Sequence, residues 1–507
     1  MSMHRLINWI LAAALMLGLA GCAASEEPPQ STENQPSSSV QEPETPEQSL
    51  PFALAYYPDY STHPALAENR ANLALAPLLY EGLFSLDDTF SATPVLCQTH
   101  TVSEDGLTWV FTLRPGVTFS DGTPLTGTLA AQALNTALVD PASRYAGRIS
   151  GLRTVTGDDT TVTITLATPN GALPTLLDIP LALDRSKRPL GTGPYVLTED
   201  SGAVSLTPRS GWWQETALPF ESIHLFSIQQ ADDLIAAFDS GDVTLLDADL
   251  TGTNTLGYSG SYEVWDYNTT DFIFLGFNTV KGYCKDPLVR QAISHGIDRD
   301  SIATIPYARH AVASPLPFHP DSSLYDQSLA EQSGYAPEAL VQFLEDTSAP
   351  SQSLKLLVNS ENHTKVTAAE YIAYQLEAAG LPVTVEKLAW DDFVAALAAG
   401  RFDLYLGETL LTADFDLSAL LASSGSLNYS RWSNTDTNTL LTSLRTAGPE
   451  QRAAAASQLS AHLSEQCPIT PICFKYGCVL TQWGRLSGLQ PRPNNIFHGL
   501  EQWSLAP

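Results

Sequence analysis

The stretch SLKLLVNSENHTKVTAAEYIAYQLEAAGLPVTVEKLAWDDFVAALAAGRFDLYL, from Ser353 to Leu406, alternates between two hydrophobic periods. Leu354–Asn359, Leu381–Leu388 and Phe402–Leu406 read as short apolar strands, while Thr364–Ala379 and Trp390–Ala399 carry apolar residues at helical spacing. Strands alternating with helices long enough to cross over predict an α/β fold with a parallel sheet. On such sheets ligands sit beyond the carboxyl ends of the strands. The loop after the last strand, Gly407–Asp416, is therefore the expected binding loop, and it carries Glu408, Asp414 and Asp416.

The pattern changes further out. Towards the N-terminus, Phe52–Tyr57 is a short strand and Asn72–Glu81 has helical spacing, with a helix-like LYEGLFSLD following at Leu79–Asp87. A β-rich stretch comes next: Leu107–Leu113 and Thr160–Leu166 alternate, Phe119–Gly122 is a turn, and Ala130–Leu138 suits a helix. Gly191-Thr192-Gly193-Pro194 punctuates the chain before a hairpin of Tyr195–Thr198 with Ala203–Thr207. Near the C-terminus Pro468–Thr481 reads as a strand, which would point Cys473 and Cys478 to opposite faces.

Composition narrows the class. The 507 residues exceed what one hydrophobic core supports, so two or three domains are expected. A formal net charge of -30 argues against binding nucleic acid or an anionic lipid face, since both would repel it. The first fifty residues read as an export signal and a tether. Arg5 precedes the apolar run Leu6–Leu19, too short to span a bilayer, and Leu19-Ala20-Gly21-Cys22 looks like a lipobox with Cys22 as the lipidated residue. The alternative is an ordinary cleaved signal that happens to carry a cysteine. From Ala23 to Leu50 the chain is rich in Glu, Pro, Ser and Gln, too poor in apolar side chains to fold. As a flexible coil it would span roughly 30 Å.

Beyond Cys22 five cysteines remain, at 97, 284, 467, 473 and 478. An odd, scattered set reads as buried free thiols, with one bridge among the last three as the alternative. Their spacing matches no zinc site and no two histidines stand at ligand spacing, so no metal and no cofactor is expected. No P-loop, HExxH or GxSxG elbow is present, and no enzyme activity is expected.

Four separated motifs then carry a resemblance. EDGLTWVFTLRPGVTFSDGTPLTG (Glu104–Gly127), GTGPYVL (Gly191–Leu197), FNTVKGYCKDPLVRQAISHGIDR (Phe277–Arg299) and CPITPICF (Cys467–Phe474) resemble, in order, signatures of the family 5 extracellular solute-binding proteins, receptors of peptide and nickel-type ABC importers. The resemblance implies a two-lobed periplasmic-binding-protein-like fold of type II, in its large peptide-binding subclass. Beyond the lipoprotein signal over 1–21 and the lipidated cysteine and tether over 22–50, it implies a first lobe from 51–90, 187–277 and 475–507 with 91–186 inserted, and a second lobe over 278–474. Crossings near Phe277 and Phe474 would form the hinge, with Gly276 and Gly477 supplying freedom or, alternatively, marking close strand packing.

Ligand residues follow from the same resemblance. Ala413-Asp414-Phe415-Asp416 matches a motif resembling ADYPDP, whose aspartate pairs with a peptide's α-ammonium, so Asp414 is the expected partner. The alternative is that Asp414 or Asp416 caps a helix starting near Leu417, which fits Asp416 better; Asp416 is otherwise a second contact. Two departures put selectivity in question: Leu411 stands where many relatives carry tryptophan, and the motif's proline is missing. Glu408, Asp414 and Asp416 together also suit a cationic ligand. Glu68-Asn69-Arg70 would line the cleft, with Arg70 either receiving a ligand carboxylate or solvated on its loop. Tyr429, Arg431 and Trp432 bring rings and a cation suited to a cleft, and Phe474 lies at the crossing. Trp390 is expected in the core.

The partners implied are a short peptide or similar small solute, an ABC permease and ATPase, and a membrane reached through the lipid anchor, for a monomeric receptor. Receptors for a metal chelate, haem or a cationic amine, and a surface sensor with no permease, are the alternatives.

Overall fold

Two long strands, Tyr262–Phe277 and Ile469–Gln482, pair antiparallel from Tyr262 opposite Gln482 to Gly276 opposite Ile469 and form the spine of an 11-stranded sheet. The computed structural model describes residues 52–253 and 255–506. The signal expected over 1–21, Cys22 and the tether over 22–50 lie outside them.

The spine changes neighbours along its length. Val479 and its surroundings pair with Leu245–Ala248, beyond which lie Ala53–Tyr56, Ile223–Ser227, Ala203–Pro208 and Tyr195–Asp200. Asp271–Phe277 instead pairs with Leu404–Leu410, which adjoins Leu354–Asn359 and then Val383–Leu388. Ala311–Ala313 completes that half by pairing with Cys473–Lys475. The ladder slips between Asn268 and Asp271, where the spine passes from one half to the other. A bulge of this kind bends a strand and re-aims its side chains. The crossing thus lies upstream of Phe277 on one strand and beside Phe474 on the other.

Gly276 and Gly477 serve close packing. A Cβ on Gly276 would stand 2.1 Å from the Tyr405 ring, and one on Gly477 2.1 Å from the Tyr267 ring. Each glycine is the floor on which an aromatic ring lies.

The segment that predicts a parallel sheet forms one. Leu354–Asn359 pairs parallel with both Val383–Leu388 and Leu404–Leu410, linked by helices His363–Ala378 and Trp390–Ala399. Burial on both faces explains the near-continuous apolar strand: Leu356 and Val358 join a core with Ile293, Ile372 and Leu376, while Leu357 joins another with Phe274 and Phe393. Trp390 departs from expectation. It holds the first position of its helix, is 54% exposed, and its backbone N donates to Glu361 Oε1 at 2.7 Å.

A separate four-stranded antiparallel sheet, ordered Cys97–Val102, Thr108–Leu113, Thr161–Leu166, Leu152–Gly157, lies under helix Gly127–Val139 and buries Trp109, Phe111, Val162 and Ile164 at alternate positions. The helix-like reading of Leu79–Asp87 is corrected. Helix Ala76–Leu79 ends at Tyr80, and Phe84–Leu86 is a strand paired with Ala92–Pro94. Gly82 sits where a Cβ would meet the Ile179 and Phe84 carbonyls at 2.9 Å, and Phe84 and Leu86 are buried with period two. The helix expected over Asn72–Glu81 is two short ones, Arg70–Ala74 and Ala76–Leu79, with Pro77 in the first turn of the second. The five cysteines of the described residues are free and buried. No helix among the described residues is long and apolar enough to cross a membrane.

Candidate functional site

The spine's bulge sets the site. Just past it Asp271 faces Lys475 across the ladder, and register places Glu408 on the same face two residues along the neighbouring strand. Lys475 Nζ meets Glu408 Oε1 at 2.9 Å and Asp271 Oδ2 at 3.0 Å. Lys365, in the first turn of the helix capped by Asn362 Oδ1, reaches Glu408 Oε2 at 3.5 Å. Two ammoniums and two carboxylates thus form one network. The ammoniums are 5% exposed and the carboxylates 22–24%, so the network shows oxygens outward. Burial opposes the charge on Lys475, but Asp271 and Glu408 outweigh it and push its pKa well above that of an ordinary lysine. Lys365 goes the other way, because burial exceeds what Glu408 returns. Burial also raises Asp271, against the pull of Lys475.

The facing wall comes from the first half. Asn69 caps helix Arg70–Ala74 by accepting from Asn72 N at 3.1 Å, which fixes where Arg70 starts. Arg70 grips Asp247 through Nε to Oδ2 and Nη2 to Oδ1, both 3.0 Å, and Nη2 also donates to Ala248 O at 3.1 Å. Tyr267 OH donates to Asp247 Oδ1 at 3.0 Å. Arg70 Nη1 has no hydrogen-bond partner among the described residues, and the side chain is 47% exposed over a carboxylate only 15% exposed. This wall shows a cation outward.

Between the walls lies a cavity of about 540 Å³, lined by Asn69, Arg70, Asp247, Asp249, Asp271, Asn362, Glu408 and Lys475 among apolar Leu54, Leu75, Leu256, Tyr258 and Phe497. Its size falls within the roughly 300–1,000 Å³ of small-ligand sites. Four carboxylates against two cations make it acidic.

Of the residues expected from sequence, Glu408, Asn69 and Arg70 line this cavity. Glu68 is exposed outside it. Asp414 lies elsewhere: it is 5% exposed, accepts from Thr412 Oγ1 at 2.5 Å and from Asn170 Nδ2 at 3.4 Å, and its backbone carbonyl takes a bond from Arg452. Asp416 Oδ1 accepts from Ser418 N at 2.8 Å, tying down the start of helix Ser418–Leu421. Arg431, at φ 56°, donates to Ala398 O at 2.9 Å at the end of helix Trp390–Ala399. Trp432 is buried, bonds Thr437 Oγ1 at 3.0 Å and has Arg290 over its ring. Tyr429 meets Tyr405 edge-on, and Phe474 is fully buried against Phe272, His319 and Phe415. None of these six lines the cavity. Sequence reasoning missed Asp247, Asp249, Asp271, Lys365 and Lys475. The carboxyl-end rule applied to Leu354–Asn359 would have drawn attention to Asn362 and Lys365.

Comparison with known proteins now settles the family. The model of the bacterial extracellular solute-binding proteins, family 5 Middle, matches residues 63–430. The chain belongs to this family. The glutathione-binding protein GsiB of Escherichia coli O1:K1 is 27% identical over 384 residues, 70% of this chain and 74% of that protein. Among solved structures, the ABC transporter substrate-binding protein CtaP of Listeria monocytogenes superposes with a TM-score of 0.72 at 19% identity, covering 90% of this chain and 99% of that one. The oligopeptide-binding protein AppA of Bacillus subtilis, in complex with a nonapeptide, gives 0.60 at 19% identity, covering 88% and 96%. The family 5 solute-binding protein thus has the family's two-lobed α/β fold.

Proposed function

We propose that this family 5 protein captures short, zwitterionic peptides between its two lobes and delivers them to an ABC permease from the outer face of the membrane, held there by a lipid on Cys22. The observation that carries the reading is the pairing of unlike walls in one cavity: Asp271 and Glu408 present oxygens on one side, and Arg70 presents free guanidinium hydrogens on the other. An α-ammonium fits the first wall and an α-carboxylate the second, each through a charge-assisted hydrogen bond. The ammonium-binding role expected of Asp414 passes to Glu408 and Asp271.

The acidic lining narrows the ligand class. A peptide of net zero or positive charge pays no electrostatic penalty there, whereas glutathione, with two carboxylates and one ammonium, is anionic. The lobes are taken as 51–90, 187–277 and 475–507 with 91–186 inserted, against 278–474. Closure follows if the peptide binds the closed form better than the open one. A micromolar ligand supplies about 8 kcal/mol in total. The chain needs no catalysis for this role.

Mass spectrometry of small molecules released by denaturing the purified protein tests the reading. Short peptides with free termini are expected. Exclusively non-peptide or anionic solutes would overturn it. Cys22→Ala should move the protein from the membrane to the soluble fraction, and a variant still fractionating with lipid would refute the anchor.

A further inference from the structure

Away from the cavity, three metal-ligating side chains converge on the spine. Asp266 and Cys478 face each other across the two long strands, and His310 ends the turn just before Ala311–Ala313. His310 O accepts from Tyr476 N at 3.0 Å, which fastens that turn to the spine. Asp266 precedes Tyr267, whose hydroxyl reaches Asp247 at the cavity wall. Successive strand residues point to opposite faces, so the cluster lies behind the sheet from the peptide site. None of the three lines the cavity.

The donor atoms are spaced for a metal. His310 Nδ1 is 3.0 Å from Asp266 Oδ1, Cys478 Sγ is 3.1 Å from the same oxygen, and Sγ to Nδ1 is 3.8 Å. Ligand atoms on a tetrahedral zinc, bound at roughly 2.0–2.3 Å, lie about 3.3–3.6 Å apart. Movements of about half an ångström would seat the ion. The ligands are one sulfur, one nitrogen and one oxygen, a set suited to zinc-class cations. Cys478 is buried, but the side chains of His310 and Asp266 are 20% and 31% exposed, so the cluster is open to solvent on one side and leaves a fourth position for water.

We propose that Asp266, His310 and Cys478 bind one divalent cation of the zinc class, at a site separate from the peptide cavity. On binding, the Cys478 thiol proton leaves to solvent and the thiolate coordinates. His310 coordinates through Nδ1 as the neutral ring and Asp266 through a carboxylate oxygen, the forms in which these groups ligate a metal. Without metal, burial and the neighbouring Asp266 hold the thiol protonated, with Asp249 and Asp247 adding to the effect. The carboxylates that disfavour a thiolate alone favour a dication beside it. Sequence spacing could not show this site, because its ligands come from three segments.

Cobalt(II) titration of the reduced, chelator-treated protein followed by zinc(II) competition tests the proposal. One equivalent of cobalt should raise a thiolate-to-metal charge-transfer band in the near ultraviolet, zinc should abolish it, and about one proton should be released per metal. Cys478→Ser should lose the band. His310→Gln, at a partly exposed position where a folded variant is expected and checked by circular dichroism, should weaken cobalt binding at least tenfold, while Cys473→Ser leaves it unchanged. Absence of the band at millimolar cobalt, or a band undiminished in His310→Gln, would overturn the assignment.

Discussion

Glu408→Gln tests the network that builds the carboxylate wall. Glu408 meets Lys475 at 2.9 Å and Lys365 at 3.5 Å. Lys475 keeps Asp271 at 3.0 Å when Glu408 is neutralised, but Lys365 has no other carboxylate within ion-pair distance among the described residues. An ammonium 5% exposed would then be buried without a counter-charge. Breaking a buried pair from one side costs about 3–5 kcal/mol, and the partial exposure of Glu408 places this case near 3. Lys365→Met alone should cost much less, since Glu408 retains Lys475. The double variant Glu408→Gln with Lys365→Met removes the stranded charge and should recover most of the loss, giving a coupling energy of at least about 1 kcal/mol. Urea unfolding followed by circular dichroism reads this as midpoint shifts at constant slope. A double variant as unstable as the sum of the singles would refute the network.

Arg70→Ala should weaken binding of a free-terminus tripeptide more than tenfold in calorimetry; unchanged affinity would remove the guanidinium from the site. Gly477→Ala would push the Tyr267 ring off the strand and break its bond to Asp247, costing about 1–3 kcal/mol in thermal or urea unfolding, and a neutral result would show that the ring has room. His319 is fully buried between Phe90 and Phe474, and burial lowers its pKa to about 4. A histidine held neutral in the fold loses its stabilising contribution as pH falls from about 6.5 towards 4, because the unfolded chain takes up the proton first. His319→Gln should therefore remove about 3 kcal/mol of the acid sensitivity between pH 7 and 4. An unaltered pH profile would contradict that burial.

The parallel half of the sheet was legible because both its periods are local. Leu354–Asn359 and the helices that follow announce themselves without any distant contact. The four-stranded sheet was legible for the same reason, through the alternation at Leu107–Leu113 and Thr160–Leu166. Phe84–Leu86 was not, because the packing of Gly82 against the Ile179 carbonyl overrides a helix-like spacing, and that contact spans about a hundred residues. The site was half legible. Glu408 and Arg70, singled out by the carboxyl-end rule and the family resemblance, line the cavity, Glu408 from within strand Leu404–Leu410 rather than from the loop after it. Asp271 and Lys475 depend on a bulge between two strands some two hundred residues apart, which no local pattern records. Asp414, expected at the ammonium from its motif match, is buried outside this cavity with its carboxylate engaged by Thr412 and Asn170, contacts that no local pattern records.

The central claim is that one cavity holds both ends of a peptide. Calorimetry of a neutral tripeptide beside its N-acetylated and C-amidated forms tests it most directly. Each blocked form should bind at least tenfold more weakly than the free peptide, the acetylated one through loss of the Glu408 and Asp271 contact and the amidated one through loss of Arg70. Equal affinity for all three would contradict the account.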